Sequence, residues 1–192
     1  MLPETTFLHP TTEELEAGLD QVRAAPKSEG VLELIVRRPR TDEREVLEEG
    51  SLDLIEGLVG DNWRTRGSRM RPDRSAHPEM QLNVMSARAV ALVARERERW
   101  RLAGDQLYVD LDLSEENLPP GTRLSIGEAV IEVTAPPHLG CKKFVARFGM
   151  DAMRFVNNEV GRSLRLRGLN ARVLEPGTIR RLDRVIKLAK PV

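Results

Sequence analysis

Apolar side chains recur at two spacings along this chain, and the change from one to the other divides it. Near the start, Leu15, Leu19 and Val22 fall at the spacing that gathers side chains on one face of a helix. Thr11 and Glu14 precede them as a capping box, in which each side chain accepts a hydrogen bond from a backbone N–H left free at the helix start. The pattern predicts a helix over 11–25, with Pro26 and Gly30 flanking its exit. We read residues 1–30 as a helical extension packed on a domain spanning 31–192. In that domain, VLELIV (31–36) is a short run rich in β-branched residues and predicts a strand. Residues 37–45 are polar and form a loop or edge. Residues 46–58 hold room for another short strand, and 57–62 supply turn residues. From 63 to 78 no periodicity survives, which predicts a long surface loop.

Gln81–Ser86 again predicts a strand, with Ser86 capping a helix that runs to about Arg101. Val90, Val93, Ala94 and Trp100 lie near one face of that helix, and the charges at 95–101 are expected on a solvated face with internal ion pairs. QLYVDLDL (106–113) alternates as a half-buried strand should. Residues 119–137 read turn, strand, tight turn at Gly127, strand, with Pro136 and Pro137 as the stop. Residues 150–157 predict a short helix, and 170–188 read strand, Pro-Gly turn, strand. Short strands at close spacing predict a mainly β fold with a few helices, a β-rich α+β class closed as a barrel or sandwich.

The chain has 192 residues, the size of one domain that buries its own core. Lys and Arg total 30, as do Asp and Glu, so no global field draws the protein to nucleic acid, and 4% aromatics leave few surfaces for base stacking. Nucleic acid is therefore not an expected partner. One cysteine excludes an intramolecular disulfide and fits a reducing compartment. No basic segment followed by an apolar stretch opens the chain, and no apolar run approaches the ~20 residues that span a bilayer. The expectation is a cytoplasmic protein with no membrane partner.

The single cysteine, Cys141, sits in PPHLGCKKF, with Lys142 and Lys143 after it and His138 before it. Cationic neighbours favour a thiolate. Such a thiolate could serve as a nucleophile, a persulfide carrier or a soft metal ligand; equally, free cysteines often simply pack. Neither CxxC nor HExxH is present, nor GxSxG, a Walker A sequence or GxGxxG after a strand. Arg64, Arg66, Arg69, Arg71 and Arg74 concentrate bidentate donors in the aperiodic loop, and Arg162, Arg165, Arg167 and Arg172 form a second basic stretch. These read as an anion pocket for a phosphorylated ligand or, more plainly, as charged surface balanced by acids elsewhere.

Taken in order, Glu116–Asn117–Leu118, Gly121 and Gly127, Cys141 just past the second strand, and Arg172–Val173 with Gly177 resemble the MOSC domain, named for the C-terminal domain of molybdenum-cofactor sulfurases. Gly57–Asp61 is similar to its early glycine–aspartate segment. The resemblance implies a MOSC-type β-barrel and a link to the molybdenum cofactor (molybdopterin). It implies Cys141 as a molybdenum ligand or persulfide carrier, and basic loops that hold the pterin phosphate. The cofactor-binding set so implied is Arg64, Arg66, Arg69, Asn117, Lys142, Lys143 and Arg172. His138 and Asp61 join Cys141 as candidate catalytic groups. Three activities stay open: an oxidoreductase acting on N-hydroxylated compounds with a redox protein partner, a sulfur carrier served by a sulfur-donor protein, and a non-catalytic binding module.

Overall fold

The computed structural model describes residues 8–189. The first apolar stripe forms two short helices, α1 (Thr12–Ala17) and α2 (Leu19–Arg23), broken at Gly18. The capping box is present: the Glu14 amide donates to the Thr11 hydroxyl, and the Thr11 amide donates to the Glu14 carboxylate at 2.8 Å. After them come β1 (Glu29–Arg37), β2 (Glu45–Leu47), β3 (Glu49–Asp53), β4 (Gly57–Leu58) and a single turn, α3 (Trp63–Arg66). The middle of the chain holds β5 (Leu82–Ser86), α4 (Ala87–Ala94), β6 (Leu107–Asp110), β7 (Arg123–Ile126) and β8 (Ala129–Pro137). The last part holds α5 (Lys142–Asn157), α6 (Glu159–Ser163), β9 (Leu169–Glu175), β10 (Gly177–Arg180) and β11 (Arg184–Lys187).

Seven strands close on themselves in the order β1, β11, β7, β8, β9, β5, β6 and back to β1, giving a mixed α/β protein built on a β-barrel. All neighbours are antiparallel except β5 and β6. The closing pair is β1 with β11, Glu29 facing Ile186. β2 continues the β11 side of β1 as a short hairpin, and β10, β3 and β4 form a small sheet of their own. Closure removes the exposed edges that an open sheet would carry.

Strand β1 shows why the run VLELIV carries so little polar character. Leu32 and Ile35 point into the barrel, where they meet Leu82, Val84, Leu107, Val109 and Val185. Leu34 and Val36 point outward to a second apolar layer beneath α1, α4 and α5. A register shift between Leu32 and Leu34 flips the alternation midway, so the strand is buried on both faces. Tyr108, on neighbouring β6, anchors the outer layer with its hydroxyl donating to the Trp100 carbonyl at 2.8 Å.

Other segments depart from the sequence reading for local reasons. The helix capped by Ser86 ends at Ala94, because Arg95 takes the left-handed conformation (φ 60°); a 3₁₀ turn, Arg97–Ala103, follows. Charges of this run reach partners outside it. Arg95 reaches Glu14, Arg97 reaches Glu33 at 2.9 Å and lies over the Trp100 ring, and Arg99 donates to the Arg147 carbonyl at 2.6 Å. The run therefore ties the helical layer to the barrel. Strand β8 does not stop before its prolines. It bulges between Val133 and Pro137, where a missing N–H costs no ladder bond, and pairs again with β9 at Leu169. Residues 170–188 hold three strands instead of two. Helix α5 starts directly after Cys141 and is interrupted at Gly149, whose φ of 88° suits glycine alone. Among the described residues no helix is long and apolar enough to cross a membrane.

Candidate functional site

Where β8 leaves the barrel, Gly140 and Cys141 turn the chain into α5. Cys141 is the residue before the helix, with extended backbone and no capping hydrogen bond from its side chain. It is exposed. The Gly140 turn is fixed from behind, its amide donating to the Asn157 side chain at 3.0 Å. Cys141 thus lies at the rim of an open cleft of about 240 Å³, whose walls come from several distant parts of the chain. Its arginines and lysine come from four of them: Arg38 and Arg44 follow β1, Arg66 ends α3, Lys143 and Arg147 lie on α5, and Arg167 precedes β9.

Two arginines form the pinned part of this cleft. Arg38 grips Asp61 fork to fork, with Nε to Oδ2 and NH2 to Oδ1 both at 2.8 Å, and donates from NH1 to Asn83 and to the Gly104 carbonyl. Arg167 holds Asp105 at 2.7 Å and the Ala103 carbonyl at 2.9 Å, its guanidinium lying over the Phe144 ring. Around them stand Arg44, Arg66, Arg147 and Lys143. At the rim, Asp42 bridges Lys143 at 3.0 Å and Arg147 at 3.1 Å. Cations outnumber acids here. Burial first, and then the charges of Arg147 and Arg38, pull the Arg44 guanidinium below its ordinary pKa. Such a lining favours an anion. The Nε atoms of Arg44 and Arg167 are also buried with no hydrogen-bond partner among the described residues, and a buried donor left unpaired costs roughly 1–3 kcal/mol.

His138 Nδ1 lies 3.3 Å from Asp105 Oδ1, yet outside hydrogen-bonding geometry. Burial, then Arg167, Arg38 and Arg66, push the imidazole well below its ordinary pKa of 6.5, so it is neutral. Burial pushes Asp105 upward, and Arg167 opposes that. A depressed histidine sets the sign of a pH effect. Below about pH 6.5 the unfolded chain binds a proton that the folded chain refuses, so stability falls as pH drops, by at most about 1.4 kcal/mol per pH unit. Denaturant melts of wild type and His138→Gln from pH 8 to pH 5 should keep a constant offset above about pH 6.5, with wild type losing ground relative to the variant below it. Parallel curves would remove His138 as the cause.

Of the residues singled out from sequence, the cleft brings together Cys141, His138, Arg66, Lys143 and Arg167. Asp61 stands behind it. Fully buried, it accepts from Arg38, from the Arg38 amide and from the Trp63 amide at 2.9 Å. Lys142 is exposed on the first turn of α5 and does not line the cleft. Arg64 turns away to Glu56. Arg69 and Arg74 share with Arg66 a shallow hollow on the outside of the loop, which Arg71 braces through Asp73 and Ser75. Arg172 is exposed on β9 and pairs with Glu132 at 2.7 Å. Asn117 lines a separate hollow and ties the Lys27 and Asp112 carbonyls together. The sequence reading did not name Arg38, Arg44 or Arg147 as site residues. One signal for Arg38 was available: a cationic residue close behind the apolar run VLELIV.

The MOSC domain family model matches residues 71–186, more than half of the chain. Among solved structures, YuaD from Bacillus subtilis is similar at a TM-score of 0.55 and 16% identity, over 82% of this chain and 94% of that one. YiiM from Escherichia coli is similar at a TM-score of 0.54 and 21% identity, over 84% and 71%. YiiM from Geobacillus stearothermophilus reaches a TM-score of 0.51 at 13% identity, over 88% and 76%. At these identities the likeness speaks for the fold. No curated protein matches the chain significantly. The family match and the shared barrel agree: the chain belongs to the MOSC domain family, a family associated with binding of the molybdenum cofactor.

Proposed function

We propose that the cleft beside Cys141 binds the molybdenum cofactor and that the protein is an oxidoreductase acting on N-hydroxylated compounds. The observation that carries the reading is an exposed thiol on the rim of a cationic cleft whose buried guanidinium donors lack partners. The residues fit the group. Arg66, Arg147 and Lys143 would hold the pterin phosphate, and the unpaired N–H groups of Arg44 and Arg167 would gain acceptors. Cys141 would supply a thiolate to the metal. Among the described residues no three His, Cys, Asp or Glu side chains cluster, so a metal here must arrive with ligands of its own, as the dithiolene of this cofactor provides.

When bound, the molybdenum centre supplies two-electron chemistry. Conversion of an N-hydroxyl group to an amine consumes two electrons and two protons and releases water, so a redox protein partner must deliver the electrons. The chain's own part is to orient the cofactor and handle protons. His138 enters this step neutral, with Nδ1 turned toward Asp105, and would exchange a proton through Nε2. The lone cysteine fits a reducing, cytoplasmic setting.

The test is expression in a host that makes the cofactor, with molybdenum and oxidised-pterin fluorescence measured on the purified protein. Near-equal molar amounts of both are expected, and finding neither overturns the reading. Arg66→Gln and Arg147→Gln should each lower pterin retention about tenfold, the loss expected when one charge-assisted hydrogen bond goes. The exposure of Cys141 also favours a second reading, a persulfide handed to a partner. That reading predicts about one added sulfur on Cys141 by intact mass, removed by reductant.

A further inference from the structure

A second pocket of about 160 Å³ lies against the cleft, and the two share only His138, Leu139 and Arg167. Its origin is the irregularity in β8. Val133 pairs with Ala171 and Pro137 with Leu169, so the chain between them swells away from β9. Asn170 holds the swollen segment by donating to the Pro136 carbonyl at 3.0 Å. The space so opened has an apolar floor of Pro136, Pro137, Val156 and Leu169. Its polar rim carries Arg162, Arg165 and Arg167 against a single acid, Glu115.

These cations are built in. Arg165 sits in the left-handed conformation (φ 48°), its guanidinium donating to the Leu118 carbonyl at 2.6 Å, and burial lowers its pKa. Arg162 is held by the Asn157 carbonyl at 2.8 Å. Arg167 is 6% exposed, and its Nε–H in the shared wall has no partner. Neutral His138 adds no charge.

We propose that this pocket is a separate binding site for a small carboxylate with a flat apolar body. The ring would lie on the proline–leucine floor and the carboxylate would face the arginines. At about 160 Å³ against about 240 Å³ for the cleft, the pocket suits a ligand smaller than the one proposed for the cleft. The site does not depend on the cofactor reading, because its lining is complete without the thiol.

Benzoate is the probe, titrated into the purified protein by calorimetry with benzamide, its neutral counterpart, as control. Benzoate should bind, and benzamide should bind at least about tenfold more weakly, since the charge-assisted bonds are lost. Arg162→Gln should weaken benzoate about tenfold. Ala135→Phe, at an exposed position lining the pocket, should abolish binding by filling the space. Arg66→Gln, in the cleft and not in this pocket, should leave benzoate binding unchanged. The proposal fails if benzoate does not bind, if benzamide binds equally well, or if Arg66→Gln is the variant that removes binding. Thermal melts of both pocket variants confirm that they are folded, and molybdenum content reports the neighbouring cleft separately.

Discussion

Cys141→Ala is expected to keep the fold and to lose both molybdenum and turnover. The side chain is exposed and makes no capping bond to α5, so the variant should melt within about 0.5 kcal/mol of wild type, as surface changes do. The pterin should remain, because the groups proposed to hold its phosphate, Arg66, Lys143 and Arg147, act through their own side chains and not through the thiol. Metal content and pterin content should therefore separate: metal near background, pterin near wild type, and activity at background. A variant that retains stoichiometric molybdenum would sink the thiolate as a metal ligand. A variant that loses pterin and metal together would show that residue 141 shapes the cleft and does not act at the metal.

Asp61→Ala should produce the largest loss of stability of any single change considered. Asp61 takes one edge of the Arg38 guanidinium with both carboxylate oxygens and also accepts two backbone amides, from Arg38 and Trp63, all out of contact with water. Removing it strands a buried cation, which costs about 3–5 kcal/mol. For a chain of this size that is a midpoint lowered by roughly 6–20 °C in a thermal melt. Asp61→Asn keeps the shape and part of the hydrogen bonding, and should fall between the two. A shift under about 2 °C for the alanine variant would mean that water reaches Arg38 and that the pair is weaker than its geometry. Because Arg38 lines the cleft, the same variant should also bind cofactor poorly at temperatures where it remains folded.

The strands were legible because alternation and turn residues survive in the sequence. The two-faced burial of β1 was not, since it depends on a register shift and on helices contributed by later parts of the chain. Lys142 and Lys143 were read for their chemistry, and the Phe144–Phe148 pair that packs the helix they open went unread. For the site, Cys141 and His138 were legible together because one turn of chain holds both. Arg38 and Arg44 lie about a hundred residues away and arrive only through barrel closure. Asp61 shows a different limit. A carboxylate beside glycines looks the same in a sequence whether it faces a substrate or neutralises an arginine from behind. Arg64 and Arg69 show a third: a loop rich in arginine brings only Arg66 of them to the cleft, while Arg64 pairs with Glu56 and Arg69 lines a separate hollow.

The closing seam of the barrel has a consequence for biosynthesis. Glu29–Val31 finds its partner at Arg184–Ile186, so one side of the barrel is written near the beginning of the chain and the other near the end. A polypeptide emerging from the ribosome carries β1 and β6 long before β11 leaves the exit tunnel. Until then the unfinished sheet shows open hydrogen-bonding edges and an unfilled apolar interior. Contacts this far apart in sequence also fold slowly. The barrel therefore cannot close until β11 has emerged, and the chain before that point is the stage most exposed to aggregation.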